Sequence, residues 1–330
     1  MSVRFALLGA GRIGKVHARA VTGNSDARLV AVMDAIPEAA QSLAADFECE
    51  VRSLEDIEAA ADIDAVVICT PTDTHADLIE RFARAGKAIF CEKPIDLSVT
   101  RVRECLATVE QTGAKLMVGF NRRFDPSFQA VRAAIDAGQI GDVELVELTS
   151  RDPGPPPAEY IAKSGGIFRD MTIHDFDMAR FLLGEEVSRV CAVASVLVDK
   201  AIGDLGDYDT ASVILETASG RQCVITNSRR ATYGYDQRIE VHGSKGMVAA
   251  ENQRPVMIEI ATEQGHQRPP LHDFFMTRYI DAYAAEITAF IAALRDGAEI
   301  SPTGEDGLKS LILAEAALKS VAENRFVDVD

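Results

Sequence analysis

The chain has 330 residues, 47% of them apolar and 26% charged, and a formal net charge of −17. That length suits two domains rather than one core. The acidity repels phosphate backbones and anionic lipid, so neither a nucleic acid nor a membrane surface is an expected partner. No apolar run approaches the roughly 20 residues that cross a bilayer.

MSVRFALLGAG at the N-terminus reads as a strand entering a glycine turn, not as a leader peptide. Apolar runs follow at Leu29–Met33, Ala65–Cys69, Ala88–Cys91 and Leu116–Gly119, after the first at Val3–Leu8. Helix-like segments such as Pro37–Asp46 and Val99–Thr112 lie between them. Near-continuous apolar strands alternating with helices predict a parallel sheet covered on both faces, a doubly wound α/β domain over residues 1–120. Beyond Phe120 the rhythm changes. Pro126–Ala137 is helix-like and Val143–Ser150 strand-like. DPGPPPAEY carries four prolines and excludes a regular element. A helix is predicted from near Asp170 to before Gly184. Strands are predicted at Val190–Val198, Thr210–Glu216, Gln222–Ser228 and Gln237–His242, with a hairpin turn at 243–246. Two helices, Ala282–Arg295 and Glu305–Asn324, close the chain. Residues 121–330 thus read as an α+β domain on a mostly antiparallel sheet. The six cysteines form no C-x-x-C pair and several lie in apolar runs, which predicts reduced, buried thiols in a cytoplasmic protein.

Gly9-Ala10-Gly11-Arg12-Ile13-Gly14 is G-x-G-x-x-G between a strand and a helix. Asp34 ends the second apolar run, 20 residues after Gly14. That context predicts a dinucleotide site: a tight turn, close backbone approach to a pyrophosphate, a positive helix end, and a carboxylate for the ribose. Asp34 would repel a 2′-phosphate and no arginine follows it in DAIPE, so NAD is expected rather than NADP.

Thr70 and Pro71 stand at the end of the run Ala65–Cys69, where parallel sheets bind ligands. His75, just beyond, reads as a helix-start or surface residue. The next run ends in Glu92-Lys93-Pro94. Two readings stand level there: a surface ion pair of little consequence, or a lysine aimed at the cofactor crevice to stabilise an alkoxide.

GIFRDMTIHDFDM, residues 166–178, admits three readings: a solvated helix face, a metal site, or a proton-transfer pair. On one helix His174 lies about 40° and Asp177 about −20° from Asp170. A thin polar stripe on a largely apolar helix is the inverse of a solvated face. Asp175 and Arg180 fall off the stripe. No second histidine or cysteine pair stands nearby to complete a strong metal site. A proton-transfer pair needs only His174, with Asp170 to orient it. Asn121-Arg122-Arg123 follows the last parallel strand, at the domain junction, a favoured place for ligands.

GAGRIG, CTPTDTH, CEKP, GFNRRFDP and D-x-x-x-H-D-F-D, in this order, resemble the Gfo/Idh/MocA oxidoreductase family over essentially the whole chain. RRATYGYDQRIEVHGSKG narrows the resemblance to its inositol dehydrogenases. The resemblance implies a Rossmann domain binding NAD through Gly9, Gly11, Arg12, Ile13, Gly14, Asp34, Thr70, Pro71, Glu92, Lys93 and Arg122. It implies a catalytic lysine at Lys93, a general acid/base at His174 and its partner at Asp170. It implies substrate contacts at Asn121, Arg122, Asp177 and Tyr233 besides the catalytic three, no metal, and a homotetramer paired through the open face of the second sheet. Arg123 is expected to pair with an acid and Tyr235 to be core. The implied activity is oxidation of a cyclic polyol, most simply myo- or scyllo-inositol. Arg151–Tyr160 departs from those members, prolines replacing polar positions, which leaves the exact polyol open. The alternatives are an aldose dehydrogenase, an NAD-dependent glycosidase and an NAD-sensing regulator.

Overall fold

The structure is a computed structural model that describes residues 2–329. The chain divides into two compact units, Met1–Phe124 with Ile280–Leu311, and Asp125–Tyr279 with Ile312–Asp330.

In the first unit the strands are β1 (Val3–Leu8), β2 (Ala27–Met33), β3 (Glu50–Val51), β4 (Ala65–Ile68), β5 (Ala88–Glu92) and β6 (Leu116–Gly119). They pair in parallel in the order β3-β2-β1-β4-β5-β6. The helices are α1 (Arg12–Thr22), α2 (Pro37–Phe47), α3 (Leu54–Ala59), α4 (His75–Arg84) and α5 (Val99–Thr112). β4 is buried at every position, as a strand covered on both faces must be. The order reverses between β1 and β4, and ligands bind at such a switch point, outside the carboxyl ends of the strands.

The second unit opens with α6 (Pro126–Asp136), β7 (Val143–Arg151), α7 (Ala158–Ser164), α8 (Gly166–Asp170) and α9 (Thr172–Leu183). It continues through β8 (Val187–Ser195), α10 (Lys200–Asp204), β9 (Thr210–Thr217), β10 (Gln222–Ser228), β11 (Asp236–Gly243) and β12 (Gly246–Ala250). A small hairpin, β13 (Ile260–Thr262) with β14 (Gly265–Gln267), precedes α11 (Phe275–Arg278). The main sheet runs β12-β11-β7-β10-β9-β8-β15, where β15 is Val327–Asp328. Only the β7–β10 pair is parallel; the others are antiparallel. The turn at 243–246 closes the β11–β12 hairpin as its glycines predict.

The structure departs from the sequence reading at three places. The stretch read as excluding a regular element ends in one, since α7 begins at Ala158, directly after the last proline, where no proline remains to break it. The stretch Ile280–Leu311, placed above in the second domain, returns to the first unit. Within it α12 (Ile280–Arg295) offers Ile287, Phe290 and Ile291 to the first unit's core, and Phe290 lies 6.2 and 5.9 Å from Phe5 and Phe90. The last helix, α13 (Gly304–Glu323), is divided between the units at Leu311. The helix predicted from Asp170 is broken at Met171, with α8 before it and α9 after.

Candidate active site

The first unit gathers the expected cofactor residues at the carboxyl ends of its strands. Gly9 has φ 101°, and a Cβ there would stand 2.6 Å from the Cys69 carbonyl oxygen. A Cβ at Gly14 would stand 2.0 Å from the Gly9 carbonyl oxygen. Gly11 differs: its φ is −69° and a Cβ would meet nothing within 4 Å. The outer glycines close the turn and pack α1 against it, while the middle one leaves backbone open to a ligand. No acidic residue stands in the first turn of α1 to oppose an anion. Arg12 is exposed and Ile13 packs against the core. The Asp34 carboxylate accepts from Ala10 N at 2.6 Å and Ile36 N at 2.8 Å, which holds it beside the glycine turn.

Two buried histidines stand at the ends of β4 and β5, His75 on backbone and His17 on a side chain. His75 does start α4 but is only 2% exposed, so the surface reading fails. Its Nδ1 lies 2.8 Å from the Pro94 carbonyl oxygen and its Nε2 2.7 Å from that of Thr70. The ring thus bridges the two carbonyls, one at each nitrogen. Thr70 and Thr74 share a hydroxyl bond of 2.7 Å, and Pro71 is exposed. Glu92 is buried and meets His17 Nε2 at 2.6 Å, so the surface Glu–Lys pair fails as a description of Glu92. Lys93 follows it and is half-buried. Asn121 and Arg122 are buried in a single 3-10 turn after β6, where Arg123 meets Asp306 at 3.0 Å as expected.

In the second unit α8 and α9 present the other expected residues. From Met171 to Ala179 every residue is buried except His174. That pattern removes the solvated-face reading. Asp170, half-buried, accepts from the Tyr160 hydroxyl at 2.7 Å and from Arg229 Nη2 at 3.2 Å. Arg229 is 1% exposed and also lies 3.8 Å from Asp207. A guanidinium so deeply buried needs these carboxylates as partners, which fixes the Asp170 side chain in place. Desolvation, then the charge of Asp170, raises the Tyr160 hydroxyl above its ordinary value and keeps it a donor. Asp177 is fully buried. Tyr233, half exposed, donates to Asp236 at 2.6 Å and accepts from Arg151 at 2.9 Å. It lines a cavity of about 420 Å³ with Asp236, Arg238 and Asn252. Tyr235 is core, edge-on to Tyr279.

Several residues of these arrangements escaped the sequence reading. Asp175, set aside as off the stripe, anchors α9: it accepts from Ser150 Oγ at 2.5 Å and Asn227 Nδ2 at 2.8 Å, on β7 and β10. Its alternation with Asp177 was the available signal. Arg229 and Tyr160 carried none without the fold. His17 and Glu286 come from α1 and α12 to meet Glu92, and sequence separation hides them. Among the described residues these three are the one group close enough to share a metal ion; Asp170, His174 and Asp177 form no such group. All six cysteines are free, and four are buried.

A glycine turn at the switch point of a six-stranded parallel sheet is a dinucleotide-binding arrangement, and residues 3–120 match the model of an oxidoreductase family with an NAD-binding Rossmann fold. Residues 128–249 match the GFO/IDH/MocA C-terminal domain. The chain belongs to the GFO/IDH/MocA oxidoreductase family, and its cofactor is NAD. It is 74% identical over 329 residues to inositol 2-dehydrogenase of Rhizobium meliloti, covering 100% of both chains. It is similar to the crystal structure of a myo-inositol dehydrogenase from Corynebacterium glutamicum, at 45% identity and TM-score 0.96, covering 100% of this chain and 99% of that one. A scyllo-inositol dehydrogenase from Lactobacillus casei, solved with NAD(H) and scyllo-inositol, matches at 29% identity and TM-score 0.91, again over 100% and 99%. No helix among the described residues is long and apolar enough to cross a membrane.

Proposed function

We propose that the chain oxidises one ring hydroxyl of a cyclic polyol, myo- or scyllo-inositol, to the keto-inositol. The observation that carries this is His174, the one partly open side chain on a buried stretch of α9, one turn after an Asp170 fixed by Arg229 and Tyr160. The relatives' names supply the substrate class. When bound, NAD supplies the hydride acceptor. His174 takes the hydroxyl proton as the C–H hydride leaves, and Asp170 orients the ring and stabilises its charged form. Lys93 stabilises the developing alkoxide. Asn121, Arg122 and Tyr233 contact the substrate, and Asp177 is a contact from the buried side. The first unit serves as the NAD domain and the second as the substrate-binding and oligomerisation domain. The apolar outer positions Val193 and Ile214, 62% and 42% exposed, support pairing of four copies through that sheet. The free cysteines support a cytoplasmic setting.

The test is an initial-rate panel of myo-inositol, scyllo-inositol and hexoses with NAD and NADP, followed by NADH absorbance. Inositol with NAD is expected to be fastest, since Asp34 disfavours a 2′-phosphate. His174→Ala and Lys93→Ala are each expected to lower kcat by about 10²–10⁴-fold. Near wild-type kcat in both overturns the mechanism. A hexose preference points to an aldose dehydrogenase, sugar release without NADH to a glycosidase, and no turnover to a regulator.

A further inference from the structure

We propose that His17 is a positioning residue for hydride transfer: from α1 it fixes Glu92, and through Glu92 the turn that presents Lys93. The inference rests on the reading of Lys93 given above.

His17 is fully buried, and its Nε2 donates to Glu92 Oε1 at 2.6 Å. Its ring is held between aromatic neighbours, Phe90 at 5.0 Å and Tyr283 edge-on at 5.5 Å. The donor therefore has little freedom to turn away. The carboxylate it holds is confined on its other side by Gly119, where an added Cβ would come within 3.2 Å of Glu92 Cδ and Oε2. A larger residue at 119 would push Glu92 out of its seat. The turn is held beyond Lys93 as well, where His75 bonds the Pro94 carbonyl. Lys93 thus sits between two anchored neighbours. The anchor at Glu92 comes from the helix that the glycine turn opens. The element that receives the cofactor pyrophosphate and the residue that sets the lysine turn are one rigid piece, three residues apart at Gly14 and His17. Glu286 fills the third corner, 4.0 Å from His17 Nε2 and fully buried, with no hydrogen-bond partner on either oxygen among the described residues. A second carboxyl buried beside Glu92 is disfavoured in its charged form. Desolvation, then the charge of Glu92, pushes the Glu286 carboxyl well above its usual value. That shift favours the neutral form of Glu286, whose oxygens make no hydrogen bond among the described residues that competes with the His17–Glu92 contact. A metal ion held by the three would need ligand distances of about 2.0–2.2 Å, whereas the short N–H···O contact already pairs two of the three.

The experiment uses the full chain, with His17→Phe to keep the ring between Phe90 and Tyr283 while removing the donor. With inositol and NAD, kcat is expected to fall about 100-fold, the cost of a misplacement near 1 Å. The NAD dissociation constant is expected to change by less than about 3-fold, since the glycine turn is intact. The primary isotope effect with substrate deuterated at the reacting carbon is expected to rise, because the hydride step becomes slower. His17→Gln, which retains a donor, is expected to recover part of kcat. Lys93→Met runs in parallel, and His17→Phe added to it is expected to cost little more. An unchanged kcat in His17→Phe beside a dead Lys93→Met overturns the positioning role alone. An active Lys93→Met overturns the catalytic reading and this inference with it. Loss of NAD affinity and melting temperature with an unchanged isotope effect makes His17 merely structural, and stoichiometric metal in the purified protein also overturns the inference.

Discussion

Asp175 and Asp177 are 1% and 0% exposed, while Asp170 and His174 are partly open, so four polar side chains close in sequence divide between two kinds of work. Asp175 belongs to the packing of α9, where it accepts two hydrogen bonds from the sheet. Asp170 and His174 lie nearer the surface, Asp170 with its carboxylate held by Tyr160 and Arg229. Helical periodicity placed Asp170, His174 and Asp177 on one stripe, but periodicity does not report depth, and depth separates them here. Glu286 shows the same limit from the other side. In the sequence it is one acid on an amphipathic helix; in the fold it is a dry acid beside another. Its carboxyl pKa in the folded chain is raised above the ordinary 4.5 by desolvation and by Glu92. The folded protein keeps a proton that the unfolded chain releases. The stability tied to that proton is complete below about pH 4.5 and is lost as pH rises toward the raised value. Glutamine has no proton to release. The stability of Glu286→Gln relative to wild type, from urea melts, should therefore increase between about pH 5 and pH 8. A difference that stays flat across that range would mean that Glu286 ionises normally.

The glycine turn is the element where sequence and structure agree most closely, because its meaning is carried by backbone geometry that only certain residues permit. The same geometry separates its glycines by experiment. Gly14→Ala puts a methyl against the Gly9 carbonyl, backbone that cannot swing aside. It should cost about 1–3 kcal/mol or more in a urea melt and abolish NAD binding. Gly11→Ala meets no neighbour and needs no unusual φ. Its stability should stay within about 0.5 kcal/mol, while NAD affinity falls because the methyl stands where a pyrophosphate must come close. Equal destabilisation of the two variants would contradict this division of labour. Longer strands were legible for a related reason: residues such as Val66 and Val67 of β4 are buried on both faces and leave an unbroken apolar run. β3 was not, since its two residues, Glu50 and Val51, are exposed and short of any period. The break at Met171 was also hidden, because an apolar helix reads the same whether one helix or two short ones carry it.

At the scale of the molecule, the sequence reading cut the chain once near residue 120, and the structure makes the first unit from two stretches, Met1–Phe124 and Ile280–Leu311. Periodicity announces α12 as a helix but does not say which sheet it covers. That is decided by the fit of Phe290 against Phe5 and Phe90. Burying a side chain of that size contributes about 1.5–3 kcal/mol. A fragment of residues 2–124 should therefore lack a cooperative melt, and joining residues 280–311 to it through a flexible linker should restore one. A sharp transition in the short fragment would show that α12 is dispensable. The discontinuity also bears on how the protein is made. A ribosome emits about 5–20 residues per second, so the sheet that binds the cofactor waits on the order of 10 s for the helix that covers it. During that interval Phe5 and Phe90 are exposed to chaperones and to neighbouring nascent chains, and the yield of folded protein depends on how quickly translation reaches residue 311.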